Sequence, residues 1–91
     1  MNQQNYERKI QLKFGITFDA YTKMLVDQNG VCAICFTSNW GHNRKRPAVD
    51  HDHKTGKVRG LLCTQCNLAL GYFEDNPERF ISASQYLKRI R

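Results

Sequence analysis

At 91 residues the chain has room for one small domain, in which an apolar core alone is marginal and a metal or disulfides are expected to assist. No apolar run approaches the roughly 18 residues of a membrane span. The opening stretch MNQQNYERKIQLKF has no signal-peptide core, so the sequence predicts a cytoplasmic, reducing setting without a membrane partner. Fourteen Lys and Arg against eight Asp and Glu give a net charge of +6, a balance that suits a polyanion such as nucleic acid and equally suits a basic protein with no such partner.

Tyr6, Ile10 and Phe14 recur every four residues, a helical stripe that stops at Gly15. Thr17 is a predicted helix cap with Asp19 in the first turn. Phe18, Tyr21, Met24 and Leu25 follow as an apolar face, and Asn29-Gly30 is the stop. Amphipathic spacing assigns these aromatics to the core and not to base stacking. Val31 to Cys35 reads as a short knuckle, and Phe36 to Pro47 as a polar, irregular loop with His42 and the run Arg44-Lys45-Arg46. Ala48 to His53 and Lys57 to Leu61 are predicted strands, with Lys54-Thr55-Gly56 as the turn between them. A helix over Cys63 to Tyr72 comes next. Asn76-Pro77 opens a last helix, with Phe80, Ala83, Leu87 and Ile90 as its apolar face and Lys88, Arg89 and Arg91 at its basic end. The expected fold class is α+β, a single domain with helices in 1–30, a hairpin-centred core in 31–72 and a closing helix in 76–91.

Cys32-Ala33-Ile34-Cys35 and Cys63-Thr64-Gln65-Cys66 form two C-x-x-C pairs separated by 27 residues. Two residues between cysteines let both thiolates turn towards one ion, and two such pairs complete the tetrahedral sulfur set that zinc favours. Soft thiolates argue against magnesium or calcium at this position. Redox C-x-x-C motifs occur singly beside a parallel βαβ pattern that is absent from this chain, and two disulfides would require an oxidising compartment. A zinc ion held by four sulfurs has no open position, so its role is structural and any catalysis lies elsewhere.

Asp50-His51-Asp52-His53 gathers two of the three histidines and two of the eight acids. A solvated strand or a second zinc site is the plain alternative, but strand alternation sends the two acids and the two histidines to opposite faces. Hydrolysis of a phosphodiester needs a base to activate water and a hard cation to offset charge on the phosphate. A histidine titrating near neutrality suits the first task, and a carboxylate that leaves most of an Mg²⁺ shell to water suits the second. Asp50 and His51 can reach one phosphate together only if the strand bulges or ends there.

The run GVCAIC, then VDHDHKTGKVRGLLCTQCN, then LALG, from Gly30 to Gly71, resembles the phage recombination endonuclease VII family, a branch of the HNH or ββα-metal nucleases. The resemblance implies a small zinc-stapled ββα-metal (HNH, His-Me finger) domain with flanking helices, from a phage or prophage in a bacterial host. It assigns Cys32, Cys35, Cys63 and Cys66 to structural Zn²⁺. Asp50 and Asn67 become ligands of a catalytic Mg²⁺ or another divalent cation such as Mn²⁺, His51 the general base, and His53 a contact to the scissile phosphate or the water. Asn67 taken alone reads as a helix cap. Arg59 is a candidate phosphate contact or a plain surface residue, and Arg44, Lys45, Arg46, Lys54 and Lys57 are further DNA-binding candidates.

Some members carry an acid one turn after the metal-binding asparagine, where this chain has Leu68, Ala69 and Leu70. The implied function is an Mg²⁺-dependent DNA endonuclease leaving 5′-phosphate and 3′-hydroxyl ends, acting on duplex or branched DNA as a monomer or homodimer. The competing expectation is a non-catalytic zinc-ribbon module that binds DNA through the same basic residues.

Overall fold

The computed structural model describes residues 3–89, with the element order α1 (Gln3–Phe14), α2 (Phe18–Asp27), β1 (Ala48–His51), β2 (Val58–Leu62), α3 (Thr64–Tyr72) and α4 (Pro77–Arg89). The four-residue recurrence of Tyr6, Ile10 and Phe14 does form α1, and Gly15, at φ +71°, ends it in a left-handed conformation that glycine adopts without strain. Thr17 caps α2 by accepting a hydrogen bond from the Ala20 N–H at 3.1 Å. Asn29 and Gly30, both left-handed, close it, with the Gly30 N–H returning to the Leu25 carbonyl.

The apolar faces of α1 and α2 meet over β2. Tyr6, Ile10, Tyr21 and Leu61 form a buried cluster, and Ile10 and Leu61 are 1% and 0% exposed. Each such aliphatic side chain contributes about 1.5–3 kcal/mol by leaving water. The Tyr6 and Tyr21 rings pack edge to face at 5.7 Å, and the Tyr6 hydroxyl donates to the Tyr21 hydroxyl. A second cluster joins Cys32, Trp40, Leu62 and Cys63. Trp40 anchors the loop of residues 36–47 in this cluster, and its carbonyl accepts from both the N–H and the hydroxyl of Thr64. Gly41 sits so close to α3 that a Cβ there would meet the Thr64 hydroxyl at 2.6 Å.

β1 and β2 are antiparallel, pairing Ala48 with Leu62, Val49 with Leu61 and Asp50 with Gly60, and then His51 with Val58. The register shift leaves Arg59 as the extra residue of a bulge opposite the Asp50–His51 step. The predicted first strand ran to His53, but β1 stops at His51. Beyond it the Asp52 N–H still reaches the Lys57 carbonyl at 2.8 Å, while the Asp52 carboxylate accepts the N–H groups of Lys54 and Thr55 at 2.8 and 3.0 Å and closes a local turn. The predicted second strand started at Lys57, which instead lies in the turn segment, and β2 extends one residue further than expected, to Leu62.

Cys63 is the N-cap of α3 and Asn76 caps α4 through its side-chain oxygen on the Glu78 N–H. The expected apolar face of α4 is only partly covered. Phe80 packs on Phe73 at 4.8 Å and Ala83 is half-buried, but Leu87 is exposed, while Ile90 and Arg91 lie outside the described residues.

Candidate active site

The four cysteine sulfurs converge. Cys32, Cys35, Cys63 and Cys66 all place Sγ within 4.8 Å of one another, and none is in a disulfide. Cys35 Sγ lies 3.7 Å from Cys63 Sγ. Metal–sulfur bonds of about 2.3 Å put the edge of a tetrahedral cage at about 3.8 Å, whereas a disulfide needs about 2.05 Å. The donor set and its dimensions therefore fit one tetrahedral soft cation. Burial opposes ionisation of Cys32, but backbone N–H groups directed at its sulfur outweigh that and bring its pKa down to about 6. Burial pushes the Cys66 thiol up, and the neighbouring thiols, including a Cys32 thiolate, push it further. A cation supplies the charge that lets all four sulfurs ionise together.

This cluster fixes the start of α3 against the hairpin. Cys63 is at once a metal-ligand candidate, a buried core residue and the cap whose sulfur accepts the Cys66 N–H. Gln28 adds a bracket from the end of α2: its amide nitrogen donates to the Leu61 carbonyl and its oxygen accepts the Leu61 N–H. The hairpin is thus tied to α2 through Gln28 and to α3 through the thiol cluster, and a cleft of about 360 Å³ opens between the hairpin and α3.

Asp50, His51, His53 and Asn67 line that cleft together with Asp75. Asp50 is buried at 7% exposure, and Arg59 grips it with two hydrogen bonds, Nε to Oδ2 at 2.8 Å and Nη2 to Oδ1 at 3.0 Å. The bulge is what allows this pairing, since the extra residue on β2 turns its side chain to the acid on β1. The carboxylate partner holds the Arg59 guanidinium even more firmly protonated than usual. His51 lies beside His53 at 5.2 Å between ring centroids, and Phe14, at the end of α1, packs on His51 at 6.0 Å. Asn67 sits in the first turn of α3, and its N–H bonds the Cys63 carbonyl. The oxygen donors of Asp50 and Asn67 in a cleft with room for solvent suit a hard divalent cation.

Asp75 is the residue that sequence reasoning did not find. Its Oδ2 lies 3.2 Å from His53 Nδ1 and accepts Arg59 Nη2 at 3.4 Å, while Oδ1 is buried without a hydrogen-bond partner among the described residues. Glu74 and Asp75 both adopt left-handed backbone, at φ 54° and 56°, and the Asp75 N–H reaches back to the Leu70 carbonyl. Strained conformations of this kind persist where the surroundings fix them. The signal for Asp75 is its place just past α3, one loop away from Asn67, and not any local motif.

The basic candidates separate into groups. Arg44 donates to the carbonyls of Arg46 and Pro47, and Arg46 stacks over the Tyr6 ring at 3.9 Å. Lys45 is exposed beside them, and His42 is an exposed loop residue away from the thiol cluster. Lys54 lines a second cleft with Asp52, His53, Arg59, Glu74 and Asp75, and Lys57 is exposed at the base of the turn. No helix of the described residues is long and apolar enough to cross a membrane.

Comparison with known proteins agrees with this architecture. The model of the family described as recombination endonuclease VII matches residues 7–89. The chain is 48% identical over 84 residues to the gene 59 protein of Mycobacterium phage L5, covering 91% of this chain and 50% of that protein. It is 45% identical over 86 residues to the gene 59 protein of Mycobacterium phage D29, covering 93% and 51% respectively. The chain thus spans about half the length of these relatives. Among solved structures, the β-β-α-Me type II restriction endonuclease Hpy99I superposes with a TM-score of 0.58 at 29% identity, covering 79% of this chain and 42% of that one. With the hairpin, the helix behind it and the four-thiol cluster all in place, the chain belongs to the recombination endonuclease VII family and has the ββα-metal nuclease fold.

Proposed function

We propose that the chain is a DNA endonuclease that hydrolyses one phosphodiester bond at the cleft between the hairpin and α3, with a divalent cation, leaving 5′-phosphate and 3′-hydroxyl ends. One observation carries the reading: Asp50 and His51 on β1 and Asn67 on α3 line a single cleft in a chain of a nuclease family. Asp50 and Asn67 would hold Mg²⁺ through oxygen, and the four cysteines would hold Zn²⁺. Bound there, Mg²⁺ supplies positive charge for the phosphate oxygens and the leaving 3′ oxygen. Four free thiols suit a reducing compartment and support a reading in which the protein works in the cytoplasm of a bacterial host.

The protein's own groups do the rest. His51 accepts the proton of the attacking water at a ring nitrogen as the water oxygen bonds to phosphorus. The bond from phosphorus to the 3′ oxygen then breaks, and that oxygen takes a proton from solvent. Phe14 limits the rotation of His51 by packing on its ring. Asp75, 3.2 Å from Nδ1 of His53, fixes the orientation of that ring beside the phosphate. Arg59 fixes the carboxylate plane of Asp50.

A binding module with the same thiol cluster would also use the Asp50–Arg59 pair, as a hairpin clasp, but it leaves the convergence of His51 and Asn67 without a purpose. Nicking of supercoiled plasmid in Mg²⁺, Mn²⁺ or Ni²⁺ separates the two. The expected result is a cation-dependent nick with ends that ligase reseals directly. Plasmid, branched DNA and single strands that all stay intact in every cation would sink the enzyme reading.

A further inference from the structure

A third groove, of about 290 Å³, runs between α1 and β1 and ends at His51 and Asn67. Its charged lining residues are Lys9, Lys13 and Arg44, and no carboxylate lines it. The cleft that meets the active site at His53 is mixed instead, with Asp52, Glu74 and Asp75 beside Lys54 and Arg59. Of the three clefts that meet at the active site, the groove beside α1 is the one that offers a polyanion positive charge with no carboxylate on its walls.

The three cations are well placed for a phosphate chain. Lys9 and Lys13 are four residues apart on one helix face, about 6 Å along the axis, a spacing of the order of successive phosphates. Both are exposed. Lys13 Nζ lies 5.4 Å from the Phe14 ring, whose centroid lies 6.0 Å from that of His51, so one aromatic ring separates this ammonium from the candidate base. Arg44 spends its hydrogen bonds on the neutral carbonyls of Arg46 and Pro47, which fix its position without cancelling its charge.

We propose that the groove between α1 and β1, with Lys9, Lys13 and Arg44, carries the sugar-phosphate backbone of the DNA strand next to the scissile bond. The proposal rests on the nuclease reading for its substrate, and it gives α1 a binding role that its amphipathic stripe does not announce. Recognition there is of phosphate and so is independent of base sequence.

The test compares wild type, Lys9→Ala/Lys13→Ala and a control, Lys23→Ala/Lys88→Ala, which removes equal charge from residues outside the clefts around the active site. Each phosphate contact contributes about 0.9 to the slope of log affinity against log salt. Anisotropy titrations of a fluorescent DNA duplex in Ca²⁺ at several salt concentrations should show the Lys9→Ala/Lys13→Ala slope shallower by about two, with affinity roughly tenfold weaker at fixed salt and on any sequence. The control keeps the wild-type slope. Alanine favours helix, so α1 is retained, and far-ultraviolet circular dichroism checks it. In cleavage, KM rises and kcat at saturating DNA stays within about twofold. An unchanged slope in Lys9→Ala/Lys13→Ala, or an equal loss in the control, overturns the groove. A wild type that cuts nothing, together with the shallower slope in Lys9→Ala/Lys13→Ala alone, overturns the catalytic reading while supporting the groove.

Discussion

Asp50 is the residue on which the site is most exposed to damage, because it is an acid at 7% exposure whose two oxygens are both taken by one guanidinium. Removing that partner leaves a buried carboxylate with no other hydrogen-bond donor among the described residues. Arg59→Ala should therefore lower stability to urea by about 1–2 kcal/mol, less than the roughly 3–5 kcal/mol of a fully buried pair, since the Arg59 side chain is 35% exposed and part of its pairing is screened. A variant as stable as wild type would mean that solvent replaces the guanidinium freely. The cluster Asp50-His51-Asp52-His53 is visible in the sequence because four chemically loaded residues are adjacent. Asp75 is not, since Glu-Asp-Asn-Pro carries only the marks of a helix cap. Two consecutive left-handed residues swing its carboxylate back to His53, and no side-chain pattern encodes that turn.

The hairpin depends on Asp52 as much as the cleft depends on its neighbours. N–H groups of Thr55 and Lys54 bind its carboxylate and hold its pKa below the ordinary range. The depressed value is the folded one, so the contribution of Asp52 is complete above the unfolded carboxylate value of about 3.9 and is lost as pH falls through the folded value. Thermal unfolding followed from pH 6 to pH 2 should show an acid-side loss in wild type that is smaller in Asp52→Asn. Equal acid losses would remove the turn from the explanation. The turn signal Lys54-Thr55-Gly56 between two short runs located both strands, and the need for Asp50 and His51 to act together anticipated an irregularity, found at Arg59. Where β1 stops was not legible, because the competition between ladder and Asx turn at Asp52 is decided by local hydrogen bonds. The α4 face was overread at Leu87: periodicity marks what a helix can bury, and among the described residues of that face only Phe80 and Ala83 find cover.

Across the whole molecule, two small cores share β2, and the thiol cluster locks the knuckle to α3 behind the cleft. Cys63 joins all of these roles, which makes Cys63→Ser informative. Serine is a better helix cap than cysteine, so any collapse reports the lost thiolate and not the lost cap. The expected result is loss of bound zinc, of helical signal and of cleavage together, because metal binding and folding are one equilibrium in small domains. A folded, zinc-free and active Cys63→Ser protein would deny the cluster its structural role. The cysteine spacing made this arrangement readable in advance. The wall that α1 builds beside His51 was not, since Phe14 belongs to a stripe that reads as core alone. The most direct test of the cleft as the cutting site is the rate at which wild type and His51→Ala nick supercoiled plasmid in Mg²⁺, at matched zinc content and helicity. At least about a hundredfold loss in His51→Ala is predicted for removal of a general base, and nicking at the wild-type rate would contradict it.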